Sequence, residues 1–100
     1  MQFIVTAYNF DDKEAINWRL LNREAHLSGL ERMVEAGPFL SGGAILDKNE
    51  KMVGSSAHVE FPTKSDVKVW IEQDPYTVGK VWRNVHISEG VLFPVSKFSN

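Results

Sequence analysis

The order in which the hydrophobic period changes along the chain constrains its fold more than any other feature. Two-residue alternation predicts strands, and helical spacing predicts helices. The strands are predicted at residues 2–8, 39–46, 52–61 and 80–88, and the helices over about 13–36 and from the 62–65 segment to about residue 73. This β-α-β-β-α-β order predicts an α+β fold of the ferredoxin-like split type, with two helices on one face of a four-stranded antiparallel sheet. Because the sequence contains no repeat, linker or low-complexity segment, we expect one domain over residues 1–100.

The second face of the predicted sheet is too apolar to face water. Ile4, Tyr8 and Trp82 occupy the alternate positions that the helices would leave uncovered. We therefore expect two copies to pack sheet on sheet, which gives a homodimer, with higher oligomers left open. The apolar tail, residues 89–100, is also expected to pack on this domain or on a partner.

Two of the three histidines are predicted to lie on this same outward face. Alternation places His58 and His86 opposite the positions that face the helices. Polar pairing or solvation is the favoured interpretation, and metal binding together with Glu60 is the alternative.

Charge and composition exclude several classes of function. Eleven Lys and Arg residues stand against 13 Asp and Glu residues, for a net charge of -2, so the chain lacks the basic field that holds nucleic acid or an anionic membrane. The sequence has no cysteine, which excludes disulfides, thiolate nucleophiles and cysteine-based zinc sites. The apolar run near the N-terminus is too short for a signal peptide or a membrane span. We expect a cytoplasmic protein.

The first predicted helix carries an apolar stripe together with three cationic or titratable side chains. At about 100° per residue, the stripe contains Ile16, Leu20, Leu27, Leu30 and Val34. Arg23 falls within this stripe, and Arg19 and His26 lie on one shoulder of it. An arginine there needs an anionic ligand, a polar cleft, or an internal carboxylate such as Glu35 or Glu60. His26 is eligible for proton transfer, although a half-buried helix histidine is also commonly structural.

The segment "EQDPYTVG" supplies a second candidate for chemistry. Asp74 precedes Pro75, and this pair is typical of a helix start, where the aspartate caps free N–H groups. In a split β-α-β-β-α-β unit, the loop after the second helix also reaches the groove beside the first. Asp74 could there accept a hydrogen bond from His26 and fix its tautomer. Both roles remain open at this point.

Four segments together resemble the YciI-like (YCII-related) family over essentially the full chain. They are "RLLNREAHLSGLERMVEAG", "SGGA", "VGSSAHVEF" and "DPYTVGKVWRNVHI". The family pattern has an Arg/Arg/His helix, a Gly-Ser strand and an Asp-Pro-aromatic turn that ends in glycine. The matching positions are Arg19, Arg23, His26, Gly54, Ser55, Asp74, Pro75, Tyr76 and Gly79.

The resemblance implies a dimeric α+β barrel with a His-Asp pair as its proposed active site. That pair is carried here by His26 and Asp74, with Ser55 on the nearby Gly-Ser strand. A related member of the barrel superfamily removes chloride from a hydroxylated aromatic, and wider relatives isomerise lactones or act on polyketides. These activities use neither a metal nor an organic cofactor, so we expect none here.

The sequence departs from the family pattern at two places. Residues 42–44 read Gly-Gly-Ala where Ala-Gly-Pro is usual, and Glu24 stands where a proline is usual. The first departure falls on a strand that could form the lip of a pocket. The substrate of a relative therefore cannot be assumed to be the substrate of this chain.

These patterns predict a small cofactor-independent enzyme that performs lyase- or isomerase-type proton transfer on a small hydroxylated or carbonyl-containing metabolite. His26 would be the general acid or base and Asp74 its orienting partner. The residues predicted to bind substrate are Arg19, Arg23, Ser55 and Tyr76. The alternative is a non-catalytic dimeric module that binds a small molecule or an anion, in which Asp74 only caps a helix. A weaker option is a relative whose site is vestigial.

Overall fold

The computed structural model describes residues 1–11 and 13–97 and confirms the predicted ferredoxin-like architecture. The strands are β1 (Gln2–Asn9), β2 (Phe39–Leu46), β3 (Met52–Glu60) and β4 (Trp82–Gly90). The helices are α1 (Ala15–Ala36), α2 (Lys64–Gln73) and the short α3 (Pro75–Val78), followed after β4 by a single 3-10 turn (Val95–Lys97). The antiparallel strands are ordered β2-β3-β1-β4, and the helices pack on one face of the sheet.

Local signals in the sequence set the ends of the helices. α1 stops at Gly37, whose φ of 108° lies in the left-handed region that glycine adopts without strain. α2 begins after Thr63, whose Oγ1 accepts a hydrogen bond from the N–H of Asp66 at 3.2 Å. α3 begins at Pro75, where a helix does not need the N–H that proline lacks.

The helix-facing side of the sheet forms the hydrophobic core. Along β1, Phe3, Val5 and Ala7 alternate with outward residues, and all three are almost completely buried. The other buried apolar members of this cluster are Val59, Val67, Ile71, Tyr76, Val81 and Trp82. Burial of these side chains on one face fixes the register of the sheet, because a one-residue slip would turn them outward.

Trp82 lies on the opposite face from the one predicted. The pairing of β1 with β4 shifts register between Tyr8 and Asn9, so that Trp82 stands opposite Asn9. Its side chain consequently faces the helices and is only 7% exposed. Ile4 and Tyr8 do lie on the outward face, where both are partly exposed.

The outward face also carries His58 and His86, as predicted. His58 pairs across the sheet with Ile4, and His86 pairs with Thr6. His58 Nδ1 lies 2.9 Å from the hydroxyl of Ser41, a polar contact of the favoured kind. Within residues 1–11 and 13–97, no group of three or more His, Asp or Glu side chains lies close enough together to hold a metal ion. The alternative of a metal site with Glu60 stays untested.

The buried side of α1 differs from the predicted apolar stripe. Leu20 is 55% exposed and Val34 is 56% exposed, whereas Arg19 and His26 are buried. The helix is therefore rotated relative to its hydrophobic pattern, and its titratable shoulder faces the sheet. Arg23, predicted to lie within the buried stripe, is exposed.

The segment after β4 is joined to β1 by a hydrogen bond. The N–H of Leu92 donates to Oε1 of Gln2 at 2.7 Å, whereas Val91 is exposed. Packing of the tail on a partner stays a prediction, and residues 98–100 lie outside the described part of the chain. Over residues 1–11 and 13–97, no helix has both the length and the apolar character needed to cross a membrane.

Candidate functional site

A cavity of about 290 Å³ opens between α1 and the sheet, on the side of β2 and β3. Most of its wall is apolar and includes Phe39, Met52, Trp70 and Trp82. An apolar cavity of about 150 Å³ can hold benzene, so this volume suits one substituted ring. Five of the six predicted site residues line it, namely Arg19, Arg23, His26, Ser55 and Tyr76.

The sixth predicted residue, Asp74, lies directly behind His26. Asp74 Oδ1 is 2.7 Å from His26 Nδ1, and the two residues are 5% and 6% exposed. An ionised carboxylate can only accept, so beside it a neutral imidazole carries its proton on Nδ1 and has Nε2 as an acceptor. No group in the described part of the chain hydrogen-bonds Nε2, and the His26 ring lines the cavity.

Asp74 also caps α3 in the manner of an ordinary N-cap. Its Oδ1 accepts a hydrogen bond from the N–H of Tyr76 at 2.9 Å. The same oxygen therefore serves the helix and the imidazole. The two roles that the sequence left as alternatives occur together in the structure, and the cap bond helps to fix the carboxylate that His26 contacts.

Two aromatic rings fix the plane of the His26 imidazole. Tyr76 stacks on it with ring centroids 3.9 Å apart and an interplanar angle of 11°. The Trp82 ring meets it edge-on at 5.7 Å. Burial raises the pKa of Tyr76 above its ordinary value, although the positive charges of Arg19 and Arg23 oppose this effect.

Arg19 brings a buried positive charge to the same wall of the cavity. Its two terminal nitrogens donate to Asn9 Oδ1 at 3.0 Å and to Ser55 Oγ at 2.9 Å, and its Cζ lies 4.8 Å from the Tyr76 ring centroid. Burial lowers the pKa of Arg19, and the Tyr76 phenol opposes that shift. Among the described residues, no carboxylate pairs with Arg19, and its buried Nε has no partner. A buried cation that is bonded only to neutral groups favours an anionic ligand nearby.

Ser55 and Arg23 complete the predicted set in different ways. Ser55 lies on β3, where its Oγ also accepts from Trp82 Nε1 at 3.2 Å. Arg23 lines the cavity but is exposed, and it is 4 residues beyond Arg19 on α1. The structure thus groups Arg19 and Ser55 in one hydrogen-bonded set and leaves Arg23 at the rim.

Sequence reasoning missed two residues of this site, Asn9 and Trp82. Asn9 continues the alternation of Phe3, Val5 and Ala7, so the pattern could have placed it on the helix-facing side. For Trp82, the face depends on the register shift beside Asn9, and strict alternation along β4 predicts the wrong side.

Comparisons with known proteins agree with this fold. Protein YciI of Escherichia coli O6:H1 is 28% identical over 86 residues, which cover 80% of this chain and 88% of the relative. The structure of 5-chloro-2-hydroxyhydroquinone dehydrochlorinase from Burkholderia phenoliruptrix AC1100, in complex with 2,5-dihydroxybenzoquinone, is 22% identical with a TM-score of 0.79, covering 91% of this chain and 94% of that one. A dimeric ferredoxin-like protein from an uncultured marine organism is 15% identical with a TM-score of 0.51, covering 92% and 94% of the two chains. These two structures support the fold.

The family model for the YCII-related domain matches residues 1–90, and the chain therefore belongs to the YCII-related family.

Proposed function

We propose that this protein is a small cofactor-independent enzyme that transfers a proton on a single-ring hydroxylated or carbonyl-containing compound, in lyase- or isomerase-type chemistry. The observation that carries the proposal is the buried 2.7 Å contact between His26 Nδ1 and Asp74 Oδ1 at the wall of a ring-sized cavity. An imidazole held in this way presents one defined nitrogen to a ligand.

In the proposed mechanism, His26 Nε2 takes a proton from the ligand. In an isomerisation it returns the proton to another atom of the ligand, and in an elimination of hydrogen chloride the proton passes to solvent as chloride leaves. Asp74 keeps the proton on Nδ1 and stabilises the imidazolium that forms when Nε2 accepts. Tyr76 limits rotation of the imidazole by stacking against it. General acid–base catalysis of this kind contributes about 10²- to 10⁴-fold in rate.

Arg19 and Ser55 would bind the oxygen on which negative charge develops when the proton leaves. Arg19 is charged and has no carboxylate partner among the described residues, and Ser55 is hydrogen-bonded to it. Donors of fixed position near a developing enolate or phenolate lower the energy of the transition state. Arg23, at the rim, would attract an anionic ligand from solvent.

The dehydrochlorinase with a similar fold supports this substrate class. By name it acts on a chlorinated hydroxyhydroquinone, and its structure contains 2,5-dihydroxybenzoquinone. Elimination of hydrogen chloride removes one proton and expels one chloride, so acid–base groups can perform it without an external oxidant. A cavity of about 290 Å³ would accommodate a ring of that size.

Turnover of 5-chloro-2-hydroxyhydroquinone and its unchlorinated analogue in D₂O tests the proposal. Chloride release and exchange of ring hydrogens would be followed for the wild-type protein, for His26→Gln and for His86→Gln, a matched control on the outward face. We expect His26→Gln to lose about 10²- to 10⁴-fold in rate and His86→Gln to keep its rate. Equal rates in the wild-type protein and in His26→Gln would reject a catalytic role for His26.

A non-catalytic binding module is the second candidate, and one observation favours it. The cap bond to the N–H of Tyr76 accounts for Asp74 without any proton transfer. In that case Arg19 and Ser55 would capture an anion, and the ligand would be recovered without chloride loss or deuterium uptake. Thermal shift with the same compounds then detects binding in the absence of turnover.

We also propose that the protein is a homodimer that pairs through the outward face of its sheet. Partly exposed Ile4 and Tyr8 lie on that face, and one protein of similar fold is described as dimeric. Sedimentation of Ile4→Lys against the wild-type protein tests this proposal, with a monomeric variant expected. A cytoplasmic location and the lack of a nucleic-acid partner stay predictions from composition.

A further inference from the structure

The Ser55 hydroxyl already accepts as many hydrogen bonds as it can. Its Oγ accepts from a terminal nitrogen of Arg19 at 2.9 Å and from Trp82 Nε1 at 3.2 Å. A hydroxyl oxygen has two acceptor lone pairs and one hydrogen, so both lone pairs are occupied. Only the hydrogen of Ser55 remains, and no group in the described part of the chain accepts it.

The backbone fixes the amide orientation of Asn9, and the donor-only guanidinium of Arg19 fixes the direction of the other bonds. Asn9 Nδ2 donates to the carbonyl oxygen of Met52 at 2.9 Å, and a carbonyl oxygen can only accept. Asn9 Oδ1 must then face Arg19, which can only donate. Arg19 therefore donates on both sides, to Asn9 and to Ser55, and the Ser55 oxygen at the cavity wall can only accept from it.

We infer that Trp82 and Arg19 together make Ser55 an obligate hydrogen-bond donor, so that the cavity binds the ionised form of a phenol or enol in preference to its neutral form. The inference rests on the proposed function only for the place where the ligand sits. A guanidinium bonded to the serine oxygen polarises the hydroxyl and strengthens its donation to an oxyanion. Trp82 is thus a positioning residue, because it acts through Ser55.

Trp82 offers a variant that separates its hydrogen bond from its packing. Its ring also contacts the rings of His26 and Tyr76 edge-on. Trp82→Phe keeps an aromatic ring in this place, removes the N–H that occupies a lone pair of Ser55, and leaves a smaller side chain in the cavity wall. The hydroxyl can then accept a hydrogen bond from a neutral phenol, and the preference for the ionised form should fall.

Binding of 4-nitrophenol measures this preference without any turnover. The two protonation states of this probe absorb at different wavelengths. At a pH where free probe is half ionised, the ratio of ionised to neutral probe in the bound pool equals the ratio of their affinities. We expect the wild-type protein to favour the ionised form by at least about tenfold, as for other hydrogen bonds to a charged group. Nitrobenzene, which lacks the hydroxyl, serves as the shape control.

The variants make the inference open to refutation. Trp82→Phe and Ser55→Ala should each reduce the preference about threefold or more, whereas nitrobenzene affinity reports the change in cavity volume alone. Equal affinity of the wild-type protein for both protonation states, or no binding of either, would overturn the inference. Loss of nitrobenzene and nitrophenol affinity in equal proportion in both variants would also overturn it, since Trp82 and Ser55 would then only pack.

His26→Gln separates this inference from the proposed function. The variant lacks the proposed base, yet it should keep the preference for ionised 4-nitrophenol, because Ser55 and its two donors are unchanged. A retained preference with undiminished turnover would reject the proposed catalysis and leave the anion site standing. A lost preference in His26→Gln would instead show that the imidazole, not Ser55, selects the ionised probe.

Discussion

The layer between the sheet and its helices has an apolar half and a polar half, and β1 runs through both. At its start β1 contributes Phe3 and Val5 to a group of wholly apolar side chains that includes Val59 and Val67. At its end the same row of positions contributes Asn9, which is buried beside Arg19. The polar half consists of Asn9, Arg19, His26, Ser55 and Asp74, with Tyr76 and Trp82 at the boundary.

The two halves are held together by different forces. The apolar half is stabilised by burial of area, which has no direction and tolerates exchange of side chains of similar volume. In the polar half each partner has a fixed direction, and Arg19 lies buried without a carboxylate among the described residues. Such an arrangement costs stability and is typical of a site. Mutations in the first half should therefore change stability, and mutations in the second should mainly change function.

The largest effect on stability is expected from Phe3→Ala in the apolar half. Phe3 is 0% exposed, and truncating a buried phenylalanine costs about 3–5 kcal/mol in the free energy of unfolding. Urea unfolding measures this cost, with Phe10→Ala as a control because Phe10 is exposed. Phe10→Ala should cost less than about 1 kcal/mol. Equal costs for the two variants would contradict the assignment of Phe3 to the core.

The next effect is expected at Asp74, in the polar half. Asp74→Ala removes both the cap of α3 and the partner of His26, whereas Asp74→Ser keeps a good cap but is too short to reach the imidazole. The serine variant should be about 1 kcal/mol more stable than the alanine variant. In both variants the imidazole should lose its preference for a proton on Nδ1, which ¹⁵N NMR detects.

One result with the two Asp74 variants would contradict the proposed role of Asp74 in the site. If the imidazole of Asp74→Ser keeps its proton on Nδ1, some other group sets the tautomer. Asp74 would then be a helix cap alone, and the binding module would become the better account. A stability difference well above about 2 kcal/mol would show that the serine does more than cap.

Most of the fold could be predicted from the sequence, because strand and helix periods are local properties. β2 was predicted at its observed bounds, and the other strands within about two residues. The buried face of α1 could not be predicted in the same way. A periodicity argument assigns the most apolar face to the core, but α1 buries Arg19 and His26 and exposes Leu20. The bonds that hold Arg19 are made by Asn9 on β1, 10 residues away, and by Ser55 on β3, 36 residues away, and helical periodicity reports neither of them.

The site was predictable in its members but not in its geometry. The family resemblance supplied His26 and Asp74, and the structure adds the distance between them and the shared oxygen that also caps α3. Trp82 was placed on the wrong face, because a register shift next to Asn9 is a tertiary feature with no clear local signal. The donor role of the Ser55 hydroxyl depends on the hydrogen bond from Trp82, so it could not be predicted from the sequence either.

A further effect on stability is expected at the lip of the cavity, where two adjacent glycines form a matched pair. A Cβ on Gly42 would lie 2.6 Å from Cζ of Phe39 and 2.7 Å from the backbone oxygen of Ser56, whereas a Cβ on Gly43 would meet nothing within 4 Å. Gly42→Ala should cost about 1–3 kcal/mol and displace Phe39, which lines the cavity. Gly43→Ala should change stability by less than about 0.5 kcal/mol. Urea unfolding and nitrobenzene affinity of both variants test whether the lip is as tightly packed as the apolar half.

The smallest effect is expected from Tyr76 at high pH. Burial raises its pKa above the ordinary value of 10.0, so the unfolded chain releases this proton before the folded chain does. The unfolded state then binds fewer protons, and the free energy of unfolding should fall as pH rises above about 10. The Tyr76→Phe variant lacks the hydroxyl. Between about pH 9 and about pH 11, its free energy of unfolding in urea should therefore fall less than that of the wild-type protein. If the phenol were as freely hydrated as an exposed tyrosine, the free energy of unfolding would change with pH equally in the two proteins. Tyr76 would then not belong to the buried boundary between the two halves.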